Sequence, residues 1–278
     1  VLFYGIQGAG KRRLANILTK SWLCGEPAAE GACAICQACR AFERGKSADY
    51  LEIGPVGTSR NIRIGAMIDT DPDDEAYPVK AQIFLRTPPL AARNKVVAIL
   101  DADRLLPRAA NSLLKILEEP PPYARFILVT ESVGAIIPTI LSRCLAIACE
   151  VPRDLEGFEP WALALAGGAP GRAKELQEFE ATYRPIYDFA RTLPQCDPAS
   201  ALVVAEDFDR LANALEAGKK IGARAANAEA LQVLATSYAL APGTRAEALQ
   251  AMIEGHRRIL GNANASSVFD ALFAVALG

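Results

Sequence analysis

"VLFYGIQGAGKRRLA", residues 1–15, decides the fold. An apolar run ends at Gly5, and from Leu14 through Ile17, Leu18 and Leu23 apolar residues recur at helical spacing. Strand, glycine loop, helix is the context in which G-x-x-x-x-G-K-[ST] cradles phosphates with backbone amides and a lysine. Gly5, Gly10 and Lys11 stand at the required positions, with Gly8 between them. The next position calls for a Ser or Thr hydroxyl to hold Mg²⁺. Arg12 stands there instead, a permanent cation with no acceptor to offer a metal.

A second metal position reads the same way. ATPases of this kind end an apolar strand with Asp-Glu, the Asp on Mg²⁺ and the Glu orienting water. Counting from Lys95 in "KVVAILDADRLL", the metal Asp falls on Leu100 and the Glu on Asp101. Leucine cannot bind magnesium. Two independent positions, 12 and 100, thus carry residues unable to hold the metal. No Mg²⁺ site is expected, and the same losses argue against ATP binding and against hydrolysis.

Outward from the loop, "DYLEIGP" (49–55), "KVVAIL" (95–100) and "RFILVT" (125–130) read as buried strands. "NSLLKILEE" (111–119) reads as an amphipathic helix stopped at Pro120–Pro122. Strands alternating with helices predict an α/β domain with a mainly parallel sheet over residues 1–150. Beyond that the β signal fades. "WALALAGGAPGRAKELQEF" predicts two helices broken at Gly167–Gly171, and an Ala/Leu-rich helical pattern with turn signals near Pro194, Asp197–Pro198 and Pro242–Gly243 fills the remainder.

Between loop helix and second strand, Cys24, Cys33, Cys36 and Cys39 form C-x₈-C-x₂-C-x₂-C. Four thiolates suit a tetrahedral Zn²⁺ and leave no open position, so the expected site is structural. Cys144, Cys149 and Cys196 are scattered and expected to pack ordinarily, and His256 is the single histidine, which leaves no basis for His-based metal or triad catalysis. The chain has 278 residues, 51% apolar and 22% charged, enough for about two domains with real cores. A net charge of −2 excludes a global field for nucleic acid or anionic membrane. No apolar run approaches the ~20 residues of a membrane span, so no membrane partner is expected. The chain opens at Val1 one strand before the loop, without Met or targeting pattern, and reads as a fragment. Clustered basic residues (Lys11, Arg12, Arg13, Lys219, Lys220, Arg257 and Arg258) are open to contact with DNA phosphates but read first as solvated faces, and the acidic stretch 69–78 reads as a surface loop.

With these features in place, the chain resembles the bacterial clamp-loader AAA+ family of DNA polymerase III, nearest its delta-prime branch. The resemblance rests on the Cys module after the loop helix, "AANSLLKILEEPPPYARFILVT" (109–130), "IIPTILSRC" (136–144), "GGAPGRA" (167–173) and "ILGNANASSVFDALF" (259–273). It implies an α/β P-loop (AAA+, RecA-like) domain over 1–150 with an inserted zinc module at 24–39. A small helical lid over 151–180 and an all-α collar-type bundle over 181–278 would follow. The segment from Cys144 to Gly167 is short for that lid, whose first helix is expected to be missing or abbreviated. By the same resemblance Arg143 is an arginine finger reaching the ATP of a neighbouring subunit, Thr130 a sensor position and Arg172 a second sensor in the lid. Implied partners are the gamma/tau and delta subunits, with the sliding clamp and primer-template DNA met through the assembled complex, in the bacterial cytoplasm. Two other readings stay open: an active gamma/tau-type ATPase, and a stand-alone zinc-binding P-loop protein.

Overall fold

The computed structural model describes residues 1–29, 31–57, 60–69, 76–151 and 156–278, and divides into two compact units, Val1–Val151 and Pro152–Gly278. Most of the acidic stretch, residues 70–75, lies outside the described residues.

In the first unit five strands form one parallel sheet: β1 (Leu2–Tyr4), β2 (Tyr50–Ile53), β3 (Lys95–Ile99), β4 (Ala124–Thr130) and β5 (Ala146–Ala148), in the spatial order β2-β3-β4-β1-β5. Register pairs Tyr4 with Thr130 and Ile99 with Leu128, so the loop after β1 and the ends of β3 and β4 share one edge. Parallel strands need crossovers that cover both faces, which makes their sequences nearly continuous apolar runs. Leu2, Val97, Ile99, Phe126 and Leu128 pack on one face with Ala109, Ala110 and Leu113 of α4 (Pro107–Glu118). Phe3, Val96, Ala98, Ile127 and Val129 pack on the other with Ala15 and Leu23 of α1 (Lys11–Leu23).

The loop helix has the predicted period but a different phase. Its buried stripe is Ala15, Thr19 and Leu23, whereas Leu14 is 41% and Ile17 57% exposed. Small side chains at the contact let the helix lie close on β3 and β4. Short helices α2 (Gln37–Glu43), α3 (Ala81–Phe84) and α5 (Pro138–Leu141) also belong to the unit.

Every regular element described after Ala148 is helical. Both predicted helices around the glycine break are present: α6 (Pro160–Leu165), six residues long, and α7 (Pro170–Glu178). Gly171 lies inside α7; the break is confined to the residues before Pro170. The remainder is α8 (Glu180–Thr192), α9 (Ala201–Lys219), α10 (Ala223–Ala239), α11 (Ala246–Leu260) and α12 (Ala265–Leu277). Phe208 is the hub of its core, with the rings of Phe189, Phe269 and Phe273 at 5.9, 4.9 and 5.6 Å between centroids. No described helix is long and apolar enough to cross a membrane.

Candidate functional site

The glycine loop keeps its backbone. Gly5 runs close against the residue that follows β5, where a Cβ would come within 2.6 Å of the Cys149 carbonyl oxygen, so no larger residue fits. Gly8 and Gly10 take φ of 81° and 89°, and Gly10 starts α1. Lys11 is buried and folds back onto the loop, its Nζ donating to the Gly5 and Ile6 carbonyls at 2.8 and 2.9 Å. Its ammonium is thus held by the loop that it would otherwise open to phosphate.

Both substituted metal positions are turned to other uses. Arg12 reaches away from the loop to Glu52 on β2 at 2.6 Å, and the Tyr50 hydroxyl donates to the second oxygen of that carboxylate at 2.9 Å. Leu100 packs on the apolar face that contains Phe3, Ala9 and Val129. Asp101, the residue at the water-orienting position, takes a left-handed φ of 50° and lies 3.7 Å from Arg60. Thr130 is buried at the end of β4, where its hydroxyl donates to Asp103 at 2.9 Å and accepts the Ser132 N–H at 3.3 Å. The sheet therefore brings Gly5, Lys11, Leu100 and Thr130 to one edge, with no side-chain oxygen for a metal at position 12 or 100.

Arg143 is elsewhere. It follows α5 and precedes β5, and in a parallel sheet the start of β5 is the end opposite the glycine loop; Leu2 at the start of β1 donates to the carbonyl of Leu145 there. Its guanidinium donates to Glu118, the last residue of α4, at 2.9 Å and to the Thr139 carbonyl at 2.9 Å, and the side chain is 38% exposed. Sequence reasoning passed over Glu118, which is one of two adjacent glutamates before a proline run.

The four cysteine sulfurs converge, all within 4.8 Å of one another. Cys24 Sγ lies 3.5 Å from Cys33 Sγ and 4.0 Å from Cys36 Sγ. Four thiolates at about 2.3 Å from a tetrahedral zinc stand about 3.8 Å apart, so the quartet fits that ion. The supporting elements are short and specific: Cys24 caps the C-terminus of α1, and Cys36 caps the N-terminus of α2, its sulfur accepting the Cys39 N–H at 3.5 Å. That N–H, with the one of Gly25, lowers the Cys36 thiol to about 6, whereas burial pushes Cys39 up to about 12. Lys20 of α1 pairs with Glu43 of α2 beside the cluster.

In the second unit Arg172 does not face an open edge. Its guanidinium lies 2.6 Å from Glu175 and 3.0 Å from Glu229, and the same carboxylates take Lys219 at 2.6 and 3.0 Å. Tyr183 joins them, donating its hydroxyl to Glu229. The i,i+3 spacing of Arg172 and Glu175 was readable in the sequence; the arrival of Lys219 and Glu229 from distant helices was not.

A parallel α/β unit with a glycine loop at the head of its first helix, continued by a helical region, is the class that these features define. Residues 1–152 match the family described as DNA polymerase III, delta subunit, and the chain belongs to that family. It is 34% identical to the DNA polymerase III subunit delta′ of Pseudomonas aeruginosa over 189 residues, 63% of this chain and 54% of that one. It is 35% identical to the subunit delta′ of Bacillus subtilis over 144 residues, 51% of this chain and 39% of that one. The chain thus spans about half the length of the curated relatives it matches. A crystal structure of a DNA polymerase III gamma subunit-related protein from Thermotoga maritima superposes with a TM-score of 0.56 at 20% identity, covering 100% of this chain and 93% of that one, and so shares its fold.

Proposed function

We propose that this chain is a delta-prime-like subunit of a DNA polymerase III clamp loader that does not hydrolyse ATP and lends Arg143 to ATP held by a neighbouring subunit. One observation carries the reading: the sheet separates Arg143 from the chain's own glycine loop, placing them at opposite ends of the strands. An arginine there cannot serve a phosphate cradled by Gly5–Lys11, but it can cross a subunit boundary. A planar, permanently charged guanidinium suits the charge that develops on a transferring phosphoryl group. Fingers of this kind are worth about 10³–10⁵ in rate in other phosphoryl-transfer systems.

The loop supports the same division of labour. Arg12 is drawn to Glu52, Leu100 is packed in an apolar cluster and Lys11 is bonded to the loop carbonyls. Nucleotide entry would have to break both Lys11 bonds without a metal to offset the phosphate charge. Thr130 keeps the sensor position in this reading, with Asp103 as its partner. The first unit is then the AAA+ domain with a structural Zn²⁺ on Cys24, Cys33, Cys36 and Cys39, residues 151–180 the lid and 181–278 the collar-type domain. Sliding clamp and primer-template DNA are met through the assembled complex, in the cytoplasm. Arg172 has no nucleotide role here, because two carboxylates already hold it.

Two measurements on purified protein test the reading. The chain should co-purify with gamma/tau and delta subunits and should show no Mg²⁺-dependent ATPase by itself. DNA-stimulated hydrolysis at its own loop would replace the reading with an active gamma/tau-type ATPase. Failure to associate with any clamp-loader subunit would leave a stand-alone P-loop protein.

A further inference from the structure

In the second unit, four formal charges and a phenol from four helices are gathered into one half-buried group. Arg172 and Glu175 come from α7, Tyr183 from α8, Lys219 from the end of α9 and Glu229 from α10. Arg172 and Lys219 expose only 11% and 13% of their side chains, and Glu229 19%. Two cations face two carboxylates, so the group is neutral. Lys219 Nζ donates to Glu175 at 2.6 Å, to the Tyr183 hydroxyl at 2.7 Å and to both Glu229 oxygens at 3.0 and 3.1 Å. The Arg172 guanidinium also lies over the Tyr183 ring, 5.1 Å from its centroid.

The backbone is shaped to bring these groups together. At Gly218 a Cβ would lie 2.4 Å from the Thr182 methyl, so the glycine lets α9 approach α8 one residue before Lys219. Lys220 then ends α9 in a left-handed conformation, φ 53°. The terminal turn is thereby fixed with Lys219 directed at the three acceptor side chains.

We infer that Arg172 and Lys219, with Glu175, Tyr183 and Glu229, form an ionic clasp that fastens α7 to the helices after it, so that α7 does not reposition in response to nucleotide. Removing one member of such a group leaves an uncompensated buried charge, which destabilises far more than the intact group stabilises. The benefit of the intact clasp is therefore register: α7 has one seat on which every charge is satisfied. Its titration behaviour agrees. Burial opposes the charged forms, yet the neighbours outweigh it, raising Arg172 and Lys219 and lowering Glu175, while burial and Glu229 raise Tyr183 to about 12.

The inference is independent of the role given to Arg143, and its test uses the full chain. Hydrogen exchange across Pro170–Glu178 is compared for wild type, Arg172→Gln and Arg172→Lys, each with and without millimolar MgATP. The clasp predicts at least tenfold faster exchange in Arg172→Gln, an intermediate rate in Arg172→Lys, which keeps the charge but is shorter and loses the planar guanidinium over the Tyr183 ring, and no effect of MgATP on any of them. Should Arg172→Gln fail to fold, Arg172→Lys carries the comparison. Wild-type exchange rates in both variants would overturn the clasp. So would MgATP protecting α7 in wild type and losing that effect in Arg172→Lys, which is the behaviour of a nucleotide sensor.

Discussion

Arg143 and Arg172 carry the same guanidinium, and both stand in motifs that suggest contact with nucleotide, yet the two units treat them oppositely. In the helical unit Arg172 is enclosed with two carboxylates, a phenol and a second cation, and its charge is balanced internally. In the α/β unit Arg143 has one exposed carboxylate, one carbonyl and the adjacent Ser142 hydroxyl at 3.5 Å, and more than a third of its side chain meets solvent. The first arrangement is costly to break and has little to offer a ligand. The second is cheap to break, since exposed ion pairs are worth about 0–1 kcal/mol, and the released cation can turn to a stronger anion. Where a charge is already satisfied tells more about its role than the motif it stands in.

The largest effect expected from any single change lies in the cysteine module, on the reading that its four thiolates hold a structural Zn²⁺. Cys36→Ser should lower bound zinc from one equivalent per chain and loosen residues 24–46, while the helical unit melts as before. Metal analysis with less than a tenth of an equivalent in wild type would show that the four thiols are free. Next comes Lys219→Met, which strands Glu175 and Glu229 with one cation between them. It should cost about 3 kcal/mol of unfolding free energy, the scale for removing one partner from a buried pair, whereas Arg143→Ala should cost under about 1 kcal/mol. Equal losses in chemical denaturation would erase the contrast between the units.

A smaller effect follows from pH. Arg172 and Lys219 hold the Glu175 carboxyl below the ordinary glutamate value of 4.5, with the Tyr183 hydroxyl also facing it. A group depressed in the folded state stabilises above its unfolded pKa and loses that contribution as pH falls through its folded one. Wild type should therefore lose stability faster than Glu175→Gln as pH drops below about 4.5, and the two should run parallel above it. Parallel curves throughout would mean that the carboxylate is not held by its neighbours.

Much of the α/β unit was legible because local signals and function coincide there. A strand must precede the glycine loop, cysteine spacing reports a metal geometry, and apolar runs mark strands buried on both faces. The phase of α1 was not legible. Periodicity identifies a helix but does not say whether Leu14 and Ile17 or Ala15 and Thr19 face the sheet, and close approach favoured the small residues. Nor were the partners of Arg172 legible beyond Glu175, since Lys219 and Glu229 lie 47 and 57 positions away and meet it only through the packing of α7–α10. Lys219 reads as part of a basic surface pair with Lys220, and is instead half-buried and paired within the group. Glu52 and Asp103 escaped notice for the same reason: each acquires a role from a residue on another strand or helix.

The central claim is that Arg143 acts on a nucleotide this chain does not hold. Its most direct test is steady-state ATP turnover by a reconstituted clamp loader carrying wild-type, Arg143→Ala or Arg143→Lys subunit, with assembly verified by size exclusion. The account predicts intact assembly and zinc content, turnover at least tenfold slower with Arg143→Ala, and little rescue by Arg143→Lys, because an ammonium cannot reproduce the guanidinium fork. Equal turnover in all three assembled complexes would contradict it.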